Sequence, residues 1–171
     1  NMEAFKPCYL KTFDEGLLKQ KIETSRRLLS PCVLCPRKCR ADRLKDERGK
    51  CKTGRSALIS TFNPHFGEEA PLVGTGGSGT VFFTNCNLLC IFCQNFDISH
   101  LENGEEKTPD QIAHMMLFLQ NLGCHNINFV TPTHVVPQIL EALEIAIPRG
   151  LSVPLVYNSG GNDEVETLKI L

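Results

Sequence analysis

Apolar positions along the chain change their spacing several times, and each change marks an element. Leu18, Ile22 and Leu29 recur on one helical stripe with Leu17 and Leu28 beside it, and Pro31 stops the run, which predicts a helix over 14–29. A basic, cysteine-rich stretch follows over 32–55, punctuated by Gly49 and Gly54. Residues 57–62 (ALISTF) read as a strand, and 63–79 (NPHFGEEAPLVGTGGSG) as a Gly- and Pro-rich loop. Residues 80–84 (TVFFT), 127–131 (INFVT) and 153–159 (VPLVYNS) are further short strands. Between the first two of these, Thr108, Pro109 and Gln111 spell a capping box with proline at the first helical position. Ile112, Met115, Met116 and Leu119 then give that helix its buried face, and Gly123 closes it. A helix over 133–147 carries Val136, Leu140, Leu143 and Ile147 on one side. Asn162 is placed to cap a last helix that starts at Asp163 with acids in its first turn.

From residue 80 onward the order is βαβαβα, and the strands look apolar throughout rather than alternating. Such strands suit a parallel sheet covered on both faces, so the fold class is α/β. Three βα units are fewer than the roughly eight of a closed barrel, which makes the chain part of a larger barrel. Three segments result: an N-terminal helical segment over 1–31, a four-cysteine metal-binding segment over 32–55, and an α/β core over 56–171.

Composition adds limits. With 171 residues and 42% apolar content, the chain has material for one hydrophobic core. It holds no run of about 18 apolar residues, so no membrane span is expected. The start lacks an apolar stretch behind a basic flank, which argues against a signal peptide and for a cytoplasmic location. The net charge of −1 conceals a division: residues 1–55 hold 15 Lys and Arg against 7 Asp and Glu, the remainder 3 against 12. Aromatic residues are not interleaved with the basic ones as a nucleic-acid stacking surface needs. A nucleic-acid partner is therefore disfavoured, and the basic head is read as balancing a thiolate site and lining a solvated face.

Nine cysteines is a high number for a chain without a secretory route, where clustered thiols more often hold metal than form disulfides. Seven fall in two groups, and Cys8 and Cys124 read as small buried hydrophobes. Cys86, Cys90 and Cys93 form a C-x3-C-x2-C triplet directly after the TVFFT strand. Clusters of the [4Fe–4S] type are normally held by four cysteines, so three leave one iron free to bind something else. Such a triplet can also belong to a zinc site, but its place after a strand that opens a βα series favours the cluster. In a parallel sheet the loops leaving the strand C-termini converge, so the triplet loop, VTPTH and YNSGG are expected to meet.

At these residues the chain resembles the radical S-adenosylmethionine (radical SAM) enzymes, in particular the branch related to pyruvate formate-lyase activating enzymes. The similarity extends over FGEEAPLVGTGGSGTVFFTNCNLLCIFCQN, INFVTPTH, YNSGG and the C-x2-C-P-R-x-C segment. It implies a partial radical SAM barrel in which Cys86, Cys90 and Cys93 hold a [4Fe–4S] cluster and the fourth iron chelates S-adenosylmethionine. Reductive cleavage there gives methionine and a 5′-deoxyadenosyl radical that abstracts hydrogen from a substrate. Phe92 takes the position that packs near the adenine. The Gly-Gly-Glu stretch that many members carry is replaced by VTPTH, which leaves Thr131, Thr133 or a backbone carbonyl to hold the methionyl amine. Asn158 and Ser159 are the polar candidates one strand further on. The resemblance also implies an electron donor such as flavodoxin or ferredoxin, and a glycyl radical enzyme as substrate if the protein is an activase. The alternatives are a radical SAM enzyme acting on a small molecule, another protein or RNA, and a non-catalytic metal-binding interaction module.

Cys32, Cys35, Cys39 and Cys51 supply four thiolates within twenty residues, which suits structural zinc or an auxiliary iron–sulfur cluster. Either would help fold a weakly hydrophobic segment. Gly74, Gly76 and Gly79 match a dinucleotide fingerprint literally, but they lead into a strand instead of a helix. These glycines, Gly77 among them, are read as a turn that lets backbone approach the cofactor or cluster. His134 is read as a helix N-terminal residue before a ligand contact, and His65, His100, His114 and His125 as structural or exposed. Glu68 and Glu69 are taken as solvated.

Overall fold

The computed structural model describes residues 5–171, so the first four residues of the N-terminal segment lie outside the described part. The helix expected over 14–29 is α2 (Leu17–Arg27), and a separate short helix, α1 (Cys8–Asp14), precedes it. Gly16, with a left-handed φ of +71°, separates the two helices, and the apolar stripe lies wholly after it. Leu18 and Ile22 of α2 are buried as the stripe requires, and Leu29 beyond its end is fully enclosed.

The sheet has five strands: β1 (Ala57–His65), β2 (Ser78–Phe83), β3 (Glu105–Lys107), β4 (Ile127–Val130) and β5 (Leu155–Asn158), in the spatial order β3-β1-β2-β4-β5. Strands β2, β4 and β5 are parallel, with Gly79 opposite Ile127 and Ile127 opposite Leu155. The other two strands correct the all-parallel expectation. β1 runs antiparallel to β2, with His65 opposite Ser78, and β3 runs antiparallel to β1, with Ala57 opposite Lys107. β1 also extends three residues past its apolar stretch, through Pro64. Its partner β3 reaches only Ala57 to Ile59, so the later half of β1 is an edge on that side, where proline is tolerated. The sheet is open, and the architecture is mixed-sheet α/β.

Nor are the parallel strands apolar throughout. Val81, Phe83, Ile127 and Phe129 enter the hydrophobic core, whereas Ser78, Thr80 and Asn128 alternate with them and are equally buried. The Ser78 hydroxyl donates to Asn126 Oδ1 at 2.7 Å, and the Asn128 amide donates to Glu68 Oε1 at 3.1 Å. Glu68 therefore serves a buried polar strand residue, which corrects its reading as solvated. A short helix, α3 (Ala70–Val73), lies in the connection from β1 to β2, and α4 (Phe96–His100) follows the triplet loop.

α5 (Pro109–Asn121) has the anticipated capping box: Gln111 N donates to Thr108 Oγ1 at 3.3 Å and Thr108 N to Gln111 Oε1 at 2.9 Å. It packs on α6 (Val136–Ala146), which also receives α2. The expected helix over 133–147 is thus shorter, with tight 3-10 turns at Pro132–Val135 and Ile147–Arg149, each opened by a proline. The final helix, α7 (Val165–Leu168), begins two residues later than expected. Asn162 makes no cap, because Glu164 holds the N-cap position of this later start. Among the described residues no helix is long and apolar enough to cross a membrane.

The charge division along the chain resolves into contacts between segments. Arg48 and Lys52 pair with Glu102, Arg48 also with Glu106, Lys38 with Glu164, and Arg55 with Glu141. The basic cysteine-rich segment is laid against the acidic core, so its charges bind within the chain as well as facing solvent.

Candidate functional site

Loops from three parallel strands meet at their C-terminal edge, as the topology requires. The β4 and β5 ends are tied by Thr131 N donating to Asn158 O at 2.9 Å. The triplet loop joins the segment after β5 through Asn87 Nδ2, which donates to Asn162 O at 2.7 Å. It is held to the β4 end by the His134 ring, whose Nε2–H donates to Thr84 O at 3.1 Å. A surface hollow of about 570 Å³ between β1, β3 and α5 is lined by Ile59, Asn103 and Gly104 beside the end of β2, and no cysteine lines it.

Within the triplet loop Cys86 is buried, and Cys90 and Cys93 are half-buried. Leu88 N donates to Cys86 Sγ at 3.4 Å, and Cys93 N closes a turn on Cys90 O at 3.2 Å. Donors aimed at sulfur stabilise thiolates and thus suit metal or cluster ligation. None of the nine cysteines is in a disulfide. Among the described residues no three or more His, Cys, Asp or Glu side chains converge as ligands of one ion. The groups are neighbours in loops, short of a closed coordination sphere.

The backbone around them is strained in a pattern. Of the eight non-glycine residues with left-handed φ, five adjoin a motif cysteine: Lys38 and Arg40 flank Cys39, Lys52 follows Cys51, Asn85 precedes Cys86 and Leu89 precedes Cys90. Each costs about 1–2 kcal/mol. Conformations of this kind persist where surroundings over-determine them, and they cluster at ligand sites.

The four-cysteine segment lies directly on the triplet loop. Arg37 Nε donates to Asn87 O at 2.8 Å and its Nη2 to Leu88 O at 2.9 Å, a two-pronged clamp on consecutive carbonyls. The Asn87 amide also favours the ionised form of Cys35, so a residue of the triplet loop acts on the four-cysteine group. Within the segment the Cys32 thiol favours ionisation of Cys39, and Cys35 senses the charges of both Cys51 and Cys39. Burial pushes the Cys32 and Cys35 thiols up, against the N–H groups of Leu34 and Arg37, each two residues on from its cysteine. Burial acts on Cys39 too, but the N–H groups of Ala41 and Lys50, the Cys32 thiol and the Arg43 guanidinium outweigh it and hold Cys39 below its ordinary value. Gly49 is needed here, because a Cβ would collide with Cys39 Sγ.

Arg43 stands behind these thiols at only 1% exposure. Its Nε donates to Gly54 O and its Nη1 to His134 O, both at 2.9 Å. Among the described residues no carboxylate pairs with it, and Nη2 meets no acceptor oxygen or nitrogen. A buried ion left uncompensated costs several kcal/mol. Nearby, His134 stands in the 3-10 turn that leads into α6, in keeping with its reading as a helix N-terminal residue, and it is enclosed. Burial first and the Arg43 charge second push its ring down to about 4.

The segment after β5 is organised by Asp163. Its carboxylate accepts from Thr133 Oγ1 at 2.5 Å, from the Tyr157 hydroxyl at 3.0 Å and from Ser159 Oγ. Burial first, then the Asp163 carboxylate, hold the Tyr157 proton more tightly than usual, against an opposing Thr133 contact. Thr131 and Asn158 are half-exposed at the same edge, Thr131 with a left-handed φ of +53°. Phe92 projects into solvent beside Cys93 at 87% exposure. Gly77 is not brought to this edge. It precedes β2, whose six residues span about 20 Å, and its carbonyl accepts from His125 N at 3.1 Å at the far end of the sheet. The glycine loop answers a packing demand there. His125 Nε2 accepts from Thr75 N and Gly76 N at 3.0 and 3.1 Å, and a Cβ on Gly76 would strike the Gly123 carbonyl.

Arg37, Arg43, Asn87 and Asp163 escaped the sequence reading. Arg37 stood inside the C-P-R-x-C motif and was the one with a visible signal; the others depend on contacts across the fold.

A protein of Methanocaldococcus jannaschii carried under the name uncharacterized protein MJ0674 is 32% identical over 165 residues, covering 91% of this chain and 46% of that protein. The chain spans about half the length of this curated relative. No family model matches the chain, and no solved structure matches it.

Two outcomes follow from the geometry. Arg37→Met removes both bonds to the triplet loop, so amides in 86–93 should exchange with deuterium at least about tenfold faster while the sheet amides are unchanged, in keeping with about 1–3 kcal/mol for charged hydrogen bonds. Unchanged exchange in that loop would dismiss the clamp. For His134 the fold favours the neutral ring, so its effect on stability is absent above pH 6.5. Stability then falls as the pH drops from 6.5 to about 4, by about 3 kcal/mol in all. In an NMR titration the His134 ring signals should stay at their neutral positions at pH 6 and move near pH 4. A midpoint near 6.5 would contradict the burial argument.

Proposed function

We propose that this chain carries the cluster-binding part of a radical SAM enzyme, in which Cys86, Cys90 and Cys93 hold a [4Fe–4S] cluster with one iron open to S-adenosylmethionine. The observation that carries this reading is the position of the triplet: it leaves the C-terminal end of β2, the first of three parallel strands, in a strained loop bonded to the loops after β4 and β5. When bound, the cluster supplies one electron that cleaves the sulfonium to methionine and a 5′-deoxyadenosyl radical, which takes a hydrogen atom from the substrate.

The chain's own residues bind and orient. Arg37 and Asn87 fix the triplet loop from the side of the four-cysteine segment. Asp163 occupies the hydroxyls of Thr133 and Ser159, so these two hold the strand ends together more directly than they hold a ligand. That leaves Thr131 and Asn158 as the polar groups for the methionyl part of S-adenosylmethionine. The exposed Phe92 ring next to Cys93 is available to cover an adenine. Cys32, Cys35, Cys39 and Cys51 hold a second centre, either structural zinc or an auxiliary cluster, supported by the N–H groups turned toward their thiols and by Arg43. We read the open sheet as part of a radical SAM barrel. The resemblance to activases makes a glycyl radical enzyme the proposed substrate and flavodoxin or ferredoxin the electron source.

The test is anaerobic reconstitution of the natural-length protein with iron and sulfide, followed by reduction in the presence of S-adenosylmethionine. The protein should release 5′-deoxyadenosine, and Cys90→Ala should lower that release at least about a hundredfold with the fold intact by circular dichroism. A fully reconstituted protein that leaves S-adenosylmethionine uncut would end the proposal.

A further inference from the structure

We infer that Arg43 is the buried counter-ion of a metal–thiolate centre formed by Cys32, Cys35, Cys39 and Cys51, and that it ties occupancy of that centre to the 131–135 segment at the end of β4. This rests on the reading of the four cysteines as a metal site, and it adds the group that balances the site's charge. The argument begins with an imbalance. Arg43 is enclosed, permanently charged, bonded to two neutral carbonyls and paired with no carboxylate among the described residues. Its Nη2 is buried with no hydrogen-bond partner, and the groups that feel its charge are the thiols of Cys32 and Cys39. Neutral thiols do not compensate a guanidinium. Four thiolates around Zn²⁺, or around an oxidised [4Fe–4S] core, carry a net charge of roughly −2, and one buried cation halves it. The same guanidinium grips the His134 carbonyl through Nη1, in the turn that includes Thr133. Metal in the four-cysteine segment thereby settles Arg43, and Arg43 holds the segment that follows β4. Arg43 acts through other groups and is a positioning residue.

The experiment uses the full chain with Cys86, Cys90 and Cys93 replaced by alanine, so that only the group from Cys32 to Cys51 takes metal. Co²⁺ is titrated by its thiolate charge-transfer absorbance in competition with a chelator. Arg43→Met should weaken Co²⁺ binding about 10–100-fold, the range for outer-shell partners, with Arg43→Lys between it and the parent. Thr108→Ala, which loosens a distant helix cap, should leave the affinity alone. If Arg43→Met does not fold, hydrogen exchange on the parent serves instead: removing Co²⁺ should deprotect amides 131–135 along with those of 32–55. Parent-like affinity in Arg43→Met, or 131–135 amides indifferent to Co²⁺, would overturn the role given to Arg43. A parent that binds no Co²⁺ would overturn the metal site itself.

Discussion

A guanidinium enclosed at 1% exposure, with no carboxylate beside it among the described residues, is the constraint around which the cysteine-rich segment is arranged. Residues 32–55 contain no regular element beyond the 3-10 turn Arg43–Lys45, and they cannot hold a shape by secondary structure. Their form comes from side chains that reach outward. Arg43 reaches to Gly54 and to the turn after β4, and Arg37 to the triplet loop. Short backbone links such as Cys32 N to Ala41 O and Arg40 N to Cys32 O complete it. The contacts of Arg37 with Asn87 and Leu88 and of Arg43 with His134 lay the segment on the loops after β2 and β4.

Electrostatics works on two scales in this docking. The exposed pairs of Arg48 and Lys52 with Glu102 and Glu106 are worth little singly, about 0–1 kcal/mol each, and they orient the segment more than they bind it. Glu141 on α6 is different, because its side chain is 10% exposed and it accepts from Arg55 through both oxygens while also pairing with Arg26 at 3.0 Å. One carboxylate thus joins the N-terminal helices, the end of the four-cysteine segment and the core. The basic head and acidic body visible in the composition are two halves of an internal contact.

Much of this was legible in the residues themselves. The capping box at Thr108 and the buried stripe of α5 appear where the code for helix ends puts them, and the three parallel strands match their short apolar runs. Local rules failed where a non-local partner decides. β3 is three charged or polar residues that become a strand only because β1 offers an edge, and Pro64 looked like a strand breaker until that edge proved open on one side. Gly16 moved the start of the expected helix from Asp14 to Leu17 and set a separate short helix before it. Among the site residues, the cysteines announced themselves by spacing, but spacing carried no information about a buried Arg43, an Asp163 that collects three hydroxyls, or a Gly77 at the wrong end of its strand.

The central claim is that two sets of cysteines at one sheet edge are metal centres and that the triplet holds iron and sulfide. Mössbauer spectroscopy with iron, sulfide and zinc analysis of anaerobically purified protein, set beside a variant lacking Cys86, Cys90 and Cys93, tests it most directly. The account predicts about four iron and four sulfide that vanish with the triplet, and a remaining complement of either zinc or a second cluster. Protein that carries no iron, or iron that survives loss of the triplet in full, would contradict it.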